Sequence, residues 1–354
     1  MTRTASAHLS RRRLLGLGTA GAAAVLLAAC AGEGSGQAGA ATAAGDAAGS
    51  GATTLNIDFA TYNPLSLVIK EKGWLEATLA DRGVTVNWIQ SAGSNKANEA
   101  LRAGAVDVGS TAGSAALLAR ANGSPIKVVS LYSQPEWAAL VVPSGSPITS
   151  VEELKGKQIA ATKGTDPYFF LVQALEEAGL SINDVTVQNL QHADGRAALE
   201  NGSVDAWAGL DPIMAGAEEA GATLLYRNLD FNTYGFLNAT EEFLEASPEL
   251  AQAVVDAYEK ARGWAAENPE ETASILAGVA GLDQAVADKV ILERSNLDVD
   301  PVPGEAQVTV LTAIAPTLVD TGDVKTQADV DEAIASIVEA SFAGKADAST
   351  IKEA

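Results

Sequence analysis

The chain has 354 residues, of which 45 are Asp or Glu and 23 are Lys or Arg, so its formal net charge is −22 at pH 7. Because phosphate backbones repel so acidic a chain, nucleic acid is excluded as a partner. The chain has one cysteine and two histidines, which excludes an intramolecular disulfide, Cys–His catalysis and a metal site of the His/Cys kind.

The N-terminus has the pattern of an export signal. A basic patch, Arg11-Arg12-Arg13, precedes an apolar segment, 14–29, that ends in small residues directly before Cys30. The segment is shorter than the roughly 20 residues that a transmembrane helix needs. Paired arginines followed by two leucines are typical of the twin-arginine export address, and a plain secretory signal is the alternative. We therefore predict a twin-arginine-type lipoprotein signal over residues 1–29.

Cys30 is the predicted membrane anchor. Its position after Leu-Ala-Ala and before a run of small residues favours lipidation over a buried free thiol. Acylation by two or three chains holds a protein firmly at a membrane, whereas a single chain binds only marginally. Residues 30–52 are mostly Gly, Ala, Ser and Thr, which is typical of a flexible tether. The protein is therefore predicted to work outside the cytoplasmic membrane, at the cell surface or in a periplasm.

A weak internal repeat follows the tether. Residues 84–109 align with 185–209: both copies begin with Val-Thr-Val and carry Gly-x-Val-Asp before their second strand. Upstream, each copy has a short strand followed by Asn63-Pro64 or Asp166-Pro167, and Asn or Asp at the N-cap with Pro at the first helical position begins a helix well. Each half is thus a β-α-β-α-β unit, which favours a parallel sheet covered by helices.

Successive helices are predicted after Asp230. Their N-terminal signals are Ser247-Pro248-Glu249, Asn268-Pro269-Glu270, and Thr326 with Asp329 three residues later. We expect them to form a helical belt on the first lobe.

The predicted fold class is α/β, with two lobes that are each a mainly parallel sheet with flanking helices. Lobe I is predicted to comprise residues 53–140 with 238–354, and lobe II residues 141–237. Two chain crossings between the lobes form a hinge, so closure around a ligand is the expected motion.

The ends of the strands are the candidate binding site. In open α/β sheets the ligand crevice lies beyond the carboxyl ends of the strands, where helix N-termini present free N–H groups to an anion. The first half contributes the loop 110–114, and the second contributes Asp211-Pro212. Between a strand and a helix start, Thr165 offers a hydroxyl and Lys163 a cation to an anionic ligand. The alternative for Lys163 is a solvated side chain beside the turn residue Gly164.

Several of these residues have a second interpretation. Asp211 is either an N-cap or the partner of a ligand's ammonium group, and His192 either caps a helix or contacts the ligand. Aromatic side chains near strand ends commonly line the pocket of a small organic molecule. Tyr62, Trp137 and Tyr234 are such candidates, whereas Trp207 either packs in the core or contacts the ligand.

Three segments carry a family resemblance: 100–109 (ALRAGAVDVG), 151–157 (VEELKGK) followed by Lys163-Gly164, and 202–207 (GSVDAW) followed by Asp211-Pro212. They resemble the solute-binding proteins of ABC importers, in the group that binds aliphatic sulfonates, taurine, nitrate or thiamine-pyrimidine precursors. The resemblance covers roughly residues 53–345 and is strongest to the aliphatic-sulfonate branch. It implies a type II periplasmic-binding-protein fold in which the loop 110–114 holds the anionic head and the loops at Thr165 and Asp211 close from the other lobe.

The predicted function is an extracytoplasmic solute-binding lipoprotein that captures a small organosulfonate and delivers it to an ABC permease in the membrane. It is expected to act as a monomer, without a cofactor or a metal. Taurine, nitrate, bicarbonate or a pyrimidine precursor are the alternative ligands, and a pyrimidine-synthase-like enzyme is the alternative of another class. The predicted ligand-binding residues are Tyr62, Asn63, Ser110, Thr111, Gly113, Ser114, Trp137, Gly164, Thr165, Asp166, Asp211 and Tyr234.

Overall fold

The computed structural model of the chain describes residues 52–354. The predicted signal over 1–29, the lipidation of Cys30 and the tether up to residue 51 lie outside the described residues. Within residues 52–354, no helix is both long enough and apolar enough to cross a membrane.

Within residues 52–354, ten strands are divided between two five-stranded sheets. The strands are β1 (Thr54–Phe59), β2 (Thr85–Gln90), β3 (Val108–Ala112), β4 (Ile126–Ser133), β5 (Ala138–Val142), β6 (Gln158–Ala161), β7 (Thr186–Asn189), β8 (Ala206–Leu210), β9 (Thr223–Tyr226) and β10 (Gly235–Thr240). The first sheet has the order β2-β1-β3-β10-β4 and the second β7-β6-β8-β5-β9. In each sheet one strand, β10 or β5, runs antiparallel to both neighbours. The predicted two-lobed α/β fold class is confirmed, and both sheets are mixed, with two parallel and two antiparallel strand pairings each.

Helices flank both sheets. They are α1 (Pro64–Lys72), α2 (Trp74–Leu79), α3 (Ser94–Arg102), α4 (Gly113–Ala121), α5 (Asp166–Glu177), α6 (His192–Glu200), α7 (Ile213–Glu219), α8 (Glu241–Ala246), α9 (Pro248–Glu267), α10 (Pro269–Ala280), α11 (Gln284–Asp288), α12 (Glu305–Asp320) and α13 (Gln327–Ile337). A π-helix, Lys289–Arg294, follows α11. The predicted N-caps Ser247, Asn268 and Thr326 precede α9, α10 and α13.

The internal repeat is present in three dimensions. In both halves the order along the chain is strand, helix, strand, helix, strand, and the first strand of the half lies between the other two. The matched aspartates have matched contacts: Asp107 Oδ2 accepts the N–H of Asn56, and Asp205 Oδ2 accepts the N–H of Gln158, both at 2.8 Å. Each carboxylate therefore ties the start of its half's third strand to the first strand.

The C-terminal helices form the predicted belt. Helix α9 packs against α1 and β4, and α13 packs against α4 and β4. The first sheet is therefore covered by helices from both the N-terminal and the C-terminal part of the described chain. Helices α10 and α11 connect the two lobes: α10 contacts α1 of the first lobe, and α11 contacts both α10 and helix α7 of the second lobe. One apolar cluster accordingly contains both Leu67 and Ala215.

The chain passes between the sheets twice, before β5 and before β10. Ala138 pairs with Leu210 in the second sheet, and Gly235 pairs with Ala112 in the first. After each crossing, strand pairing with the next sheet therefore begins three residues before the predicted start of the next lobe. It begins at residue 138 instead of 141, and at residue 235 instead of 238. The assignment of the two lobes as separate domains stays a prediction.

Candidate functional site

The two lobes meet where the strands of each sheet end. Ser114 lies in the first turn of α4, directly after β3 of the first sheet, and Asp166 is the first residue of α5, after β6 of the second. Their side chains share a hydrogen bond in which the Ser114 hydroxyl donates to Asp166 Oδ1. The predicted meeting of helix starts from both halves is thus present, and these two residues mark its centre.

The Asp166 carboxylate accepts hydrogen bonds from three residues on both sides of this junction. Besides Ser114, the Thr233 N–H donates to Oδ2 at 2.8 Å, the Thr233 hydroxyl donates to Oδ1 at 2.8 Å, and Trp137 Nε1–H donates to Oδ2 at 2.9 Å. The side chain of Asp166 is buried. Burial raises the pKa of this carboxyl, and the hydrogen bonds from Ser114, Thr233 and Trp137 oppose that shift. The donors of the cluster therefore surround one buried acid group, the side chain of Asp166.

Backbone geometry places Ser114 and Thr233 side by side. The N–H of Gly113 donates to the carbonyl of Tyr234 at 2.9 Å. A Cβ atom at Gly113 would lie 3.2 Å from Thr233 and from Phe236, so a larger residue would push the second crossing away from α4. Gly113 therefore acts by allowing this close approach.

Ser110 and Thr111 are engaged inside the first sheet. The Ser110 N–H donates to Asp58 Oδ1 at 2.9 Å, and its hydroxyl is 3.0 Å from the same atom. The Thr111 hydroxyl oxygen accepts from Asn238 Nδ2 at 2.8 Å. Burial raises the pKa of Asp58 to about 7. The structure thus turns both hydroxyls toward protein partners, away from the Asp166 cluster.

Asn63 is the N-cap of α1, as predicted. Its Oδ1 accepts the N–H of Ser66 at 3.3 Å, and its Nδ2 donates to the hydroxyl of Tyr258 at 2.9 Å. Both ends of the amide therefore have structural partners. In the second half the prediction differs from the structure: Thr165 holds the N-cap position of α5, and Asp166 lies within the helix.

The other residues of this turn also make local contacts. The Thr165 hydroxyl donates to the carbonyl of Thr162 at 2.6 Å. Gly164 has a φ of +76°, which favours glycine, and its Cβ position lies 3.5 Å from Leu118 of the opposite lobe. Lys163 Nζ lies 5.6 Å from the centre of the Tyr168 ring, a cation–π contact. This contact agrees with the structural interpretation of Lys163.

Asp211 forms a buried ion pair. Arg294 Nη1 lies 3.2 Å from Asp211 Oδ2, and Arg294 Nη2 lies 2.6 Å from Glu218 Oε2. Asp211 Oδ1 also accepts the N–H of Ala215 in α7 at 2.9 Å. Pro212 holds the N-cap position of this helix, so the predicted N-cap role of Asp211 is wrong by one residue. Burial raises the pKa of Asp211 to about 6, against the lowering effect of Arg294. The cation beside Asp211 is thus an arginine of the chain.

Two of the predicted aromatic residues lie together at this junction. The rings of Tyr62 and Trp137 are 6.2 Å apart in an edge-to-face arrangement, and the Tyr62 hydroxyl donates to the carbonyl of Ser110 at 2.9 Å. Tyr62 and Trp137 also line a very small cavity with Asp211 and Arg294, with a volume of about 10 Å³. Tyr234 lines another cavity, and its backbone carbonyl is the group that accepts a hydrogen bond from Gly113 next to this cluster.

Trp207 belongs to the core of the second lobe. It is fully buried and packs in a cluster with Val141, Leu199 and Met214. Of the two predicted roles of Trp207, the structure therefore supports packing in the core.

His192 is a buried, neutral residue at the start of α6. Its Nδ1 lies 3.2 Å from Thr162 Oγ1, whose own proton is donated to the carbonyl of Leu190 at 2.7 Å. Nδ1–H must therefore be the donor to Oγ1, which leaves the lone pair on Nε2. Burial lowers the pKa of His192 to about 4. Gln191 holds the N-cap position, so the predicted capping role of His192 is wrong.

Replacing His192 with Gln should make the fold less sensitive to acid. The native pKa of about 4 lies below the value of about 6.5 for an exposed imidazole, so the unfolded chain takes up a proton first as the pH falls. Native stability is therefore lost between these two pKa values, by about 3 kcal/mol at most. Urea unfolding near neutral pH and near pH 4 gives the free energy of unfolding of both proteins. The value for the variant relative to that for the native protein should rise by this amount at the lower pH. A difference that does not change with pH would contradict a buried neutral ring.

Residues that the sequence patterns did not single out complete the junction. Thr233 supplies two of the donors to Asp166, and Arg294 supplies the cation beside Asp211. Thr233 lies in the second crossing between the sheets, directly before β10, and Arg294 lies 83 positions from Asp211 along the chain. Within residues 52–354, no group of three or more His, Cys, Asp or Glu side chains is placed to hold a metal ion.

Two mixed sheets, joined by two crossings and meeting at a buried polar cluster, define a two-lobed solute-binding protein of the periplasmic-binding-protein fold. The chain belongs to the NMT1/THI5-like family, whose model matches residues 64–272. The predicted family resemblance is confirmed.

Individual relatives agree with this assignment. A protein of Bacillus subtilis (strain 168) named as an aliphatic sulfonates-binding protein is 32% identical over 242 residues, which cover 67% of this chain and 73% of the relative. A protein of the same name from Escherichia coli (strain K12) is 30% identical over 223 residues, covering 62% and 70%. The solved structure of the alkanesulfonate-binding protein SsuA from Xanthomonas axonopodis pv. citri, bound to MOPS, is 27% identical, covers 82% of this chain and 99% of its own, and has a TM-score of 0.73. Each of these relatives is named as a binding protein.

Proposed function

We propose that this chain is the receptor of an ABC importer, which captures a small organosulfonate between its two lobes and delivers it to a membrane permease. The observation that carries the proposal is the set of N–H and O–H donors from Ser114, Trp137 and Thr233 around one acid group at the lobe junction. A sulfonate presents acceptor oxygens of the same kind as a carboxylate, and buried donors of this kind bind charged acceptors strongly. The sulfonate-binding relatives support the choice of ligand.

The test is a titration of the purified full chain, by calorimetry, with ethanesulfonate, taurine and a longer alkanesulfonate. We expect saturable binding of at least one of them and an increase in Tm on its addition. Mass spectrometry of material that co-purifies with the protein tests the alternatives of nitrate, bicarbonate or a pyrimidine precursor. Binding of one of those ligands, with no response to any sulfonate, would refute the proposal.

Lipid anchoring through Cys30 and twin-arginine export belong to the same proposal, and sequence alone supports them. A lipid and a tether would keep the receptor near its permease and raise its local concentration there. The mass of the peptide that contains Cys30, measured on protein extracted from membranes, tests the anchor. An unmodified cysteine in that peptide would overturn it.

A role in binding is proposed in preference to an enzymatic one. The single histidine of the described part, His192, is buried, and its Nδ1 is occupied by Thr162. General acid–base work would require a ring that reaches a substrate. Turnover of a candidate substrate that is lost in His192→Gln would contradict this assignment.

A further inference from the structure

The ring of His192 lies against the opposite lobe. His192 begins α6 of the second lobe, and its side chain is only 1% exposed. Gly93 of the first lobe directly precedes α3, and a Cβ atom at this position would lie 3.0 Å from His192 Nε2 and 3.1 Å from its Cδ2. Contacts this short leave no room for a larger side chain at Gly93. The first lobe therefore covers the Nε2 edge of the ring.

This contact leaves Nε2 without a hydrogen-bond partner. Nδ1–H donates to Thr162 Oγ1, so Nε2 carries the lone pair. Asn95 Oδ1 lies 2.9 Å from the same Cβ position, but neither this oxygen nor Nε2 has a hydrogen-bond partner among the described residues. A proton on Nε2 would thus place a buried charge without an acceptor, at a free-energy cost that exposure to water removes.

Charged groups on the surrounding elements do not compensate this cost. Lys96 of α3 pairs with Glu99, and Arg196 of α6 pairs with Glu200, each on its own helix. The other charged side chains on these elements are Lys163, which lies over the ring of Tyr168, Asp166, which is held in the polar cluster, and the exposed Asp194. Burial alone lowers the pKa of His192, to about 4.

We propose that His192 is a positioning residue of the joined lobes, which favours their contact only while its ring is neutral, so that a ligand held between them binds less tightly on acidification. The inference rests on the proposed function only in assigning a ligand to the joined lobes. When the lobes separate, water reaches Nε2, and the ring takes up a proton as an ordinary imidazole does. The joined lobes exclude that proton, so proton uptake and lobe contact compete.

The direction of the effect follows from the two pKa values of the ring. With the lobes joined the value is about 4, and for a ring exposed to water it is about 6.5. Above the higher value the ring is neutral in both arrangements, and the contact is fully favourable. As the pH falls from about 6.5 to about 4, the separated lobes take up the proton first, and the joined arrangement loses up to about tenfold in relative population per pH unit.

Buried carboxylates near the junction titrate with the opposite sign. Burial raises the pKa of Asp58 to about 7, that of Asp211 to about 6, and also that of Asp166. Protonation therefore removes part of the cost of burying these groups and favours the joined lobes. Among these four residues, only His192 can weaken the contact of the lobes on acidification.

The first experiment follows the imidazole signals of the full, ligand-free chain by NMR during a pH titration. The chain has two histidines, and the signal that His192→Gln removes identifies the ring. The native pKa should be about 4. In Gly93→Ala we expect it to rise toward about 6.5, because the added methyl group separates the ring from the first lobe. The φ of 166° at Gly93 is extended backbone that alanine also adopts, so this variant acts through the contact.

Gly263→Ala is the matched control. Gly263 lies in α9, which packs on the first lobe, and no described atom outside its own helix lies within 4 Å of its Cβ position. This variant should leave the pKa of His192 unchanged. An ordinary pKa in the native chain, or an unchanged value in Gly93→Ala, would show that the first lobe does not bury the ring and would refute the inference.

The second experiment measures the affinity for ethanesulfonate by calorimetry at about pH 7 and at about pH 5, where an exposed imidazole changes its charge and a sulfonate does not. The dissociation constant of the native chain should rise roughly tenfold at the lower pH, because fewer molecules have joined lobes. In His192→Gln it should stay the same or fall.

The outcomes separate the inference from the proposed function. Equal weakening of binding in the native chain and in His192→Gln would overturn the role of His192 and leave the proposed function standing. If no sulfonate binds, the proposed function is refuted, whereas the ligand-free titration still decides on the role of His192.

Discussion

Replacing Arg294 with Ala is expected to destabilise the protein by about 3–5 kcal/mol. The guanidinium is 5% exposed and contacts Asp211, whose side chain is 4% exposed, as well as Glu218. Removing it leaves a buried carboxylate without its cation, and such a charge costs far more than the intact pair contributes. Arg294 lowers the pKa of Asp211, which is about 6 in the native protein. Its loss should raise that pKa further, so part of the penalty should disappear as the carboxyl takes up a proton on acidification. Urea unfolding at neutral and at mildly acidic pH measures both effects.

Lys96→Ala serves as the control for this prediction. Lys96 pairs with Glu99 at 2.8 Å, but both side chains are about half exposed. Pairs of this kind stabilise by a few tenths of a kcal/mol, roughly, because water screens them. An equal loss in the Lys96 and Arg294 variants would show that the pair with Asp211 is not buried in solution.

Replacing Trp207 with Ala is expected to cost about 3–5 kcal/mol of unfolding free energy and to leave ligand affinity unchanged in the protein that remains folded. Trp207 is fully buried in the second lobe, next to Gly195, where a Cβ atom would lie 2.7 Å from the indole nitrogen. The loss follows from the cavity that a missing indole leaves among close-packed neighbours.

Trp207→Phe should cost much less. The phenyl ring keeps most of the volume, and the substitution removes an indole N–H that has no hydrogen-bond partner within residues 52–354. Thermal unfolding and calorimetric titration of both variants separate stability from binding. Loss of binding with unchanged Tm would place Trp207 in the site instead of the core.

Local patterns were sufficient to predict the fold. The repeat of Val-Thr-Val and Gly-x-Val-Asp located equivalent strands in both halves, and each Asp proved to tie two strands together through a backbone N–H. Signals at helix starts were equally informative, as at Asn63, because capping depends on residues within one turn of each other.

The candidate site was predictable at the level of loops, and less so for side chains. The expected strand ends do meet, and Ser114, Trp137 and Asp166 lie together. Ser110, by contrast, turns its hydroxyl to Asp58, and no pattern along the chain shows which of two neighbouring hydroxyl groups faces the sheet interior.

Contacts between segments that are distant along the chain could not be predicted from the sequence patterns. Arg294 reaches Asp211 because a π-helix, placed by the packing of α10 and α11, presents it to the other lobe. Thr233 contacts Asp166 because the second crossing is held against Gly113 by a backbone hydrogen bond. Both contacts depend on how helices pack, and packing is decided by shape complementarity over many residues at once.

The packing of α10 and α11 across both lobes gives the protein a third connection besides the two chain crossings. Any motion that separates the lobes must carry these helices along or break the pair of Arg294 with Asp211. An equilibrium between separated and joined lobes would therefore depend on the packing of α10 and α11 as well as on a ligand. Since apparent affinity scales with the fraction of molecules in the binding conformation, a substitution on α11 can tune the sensitivity of the receptor while its site stays unaltered.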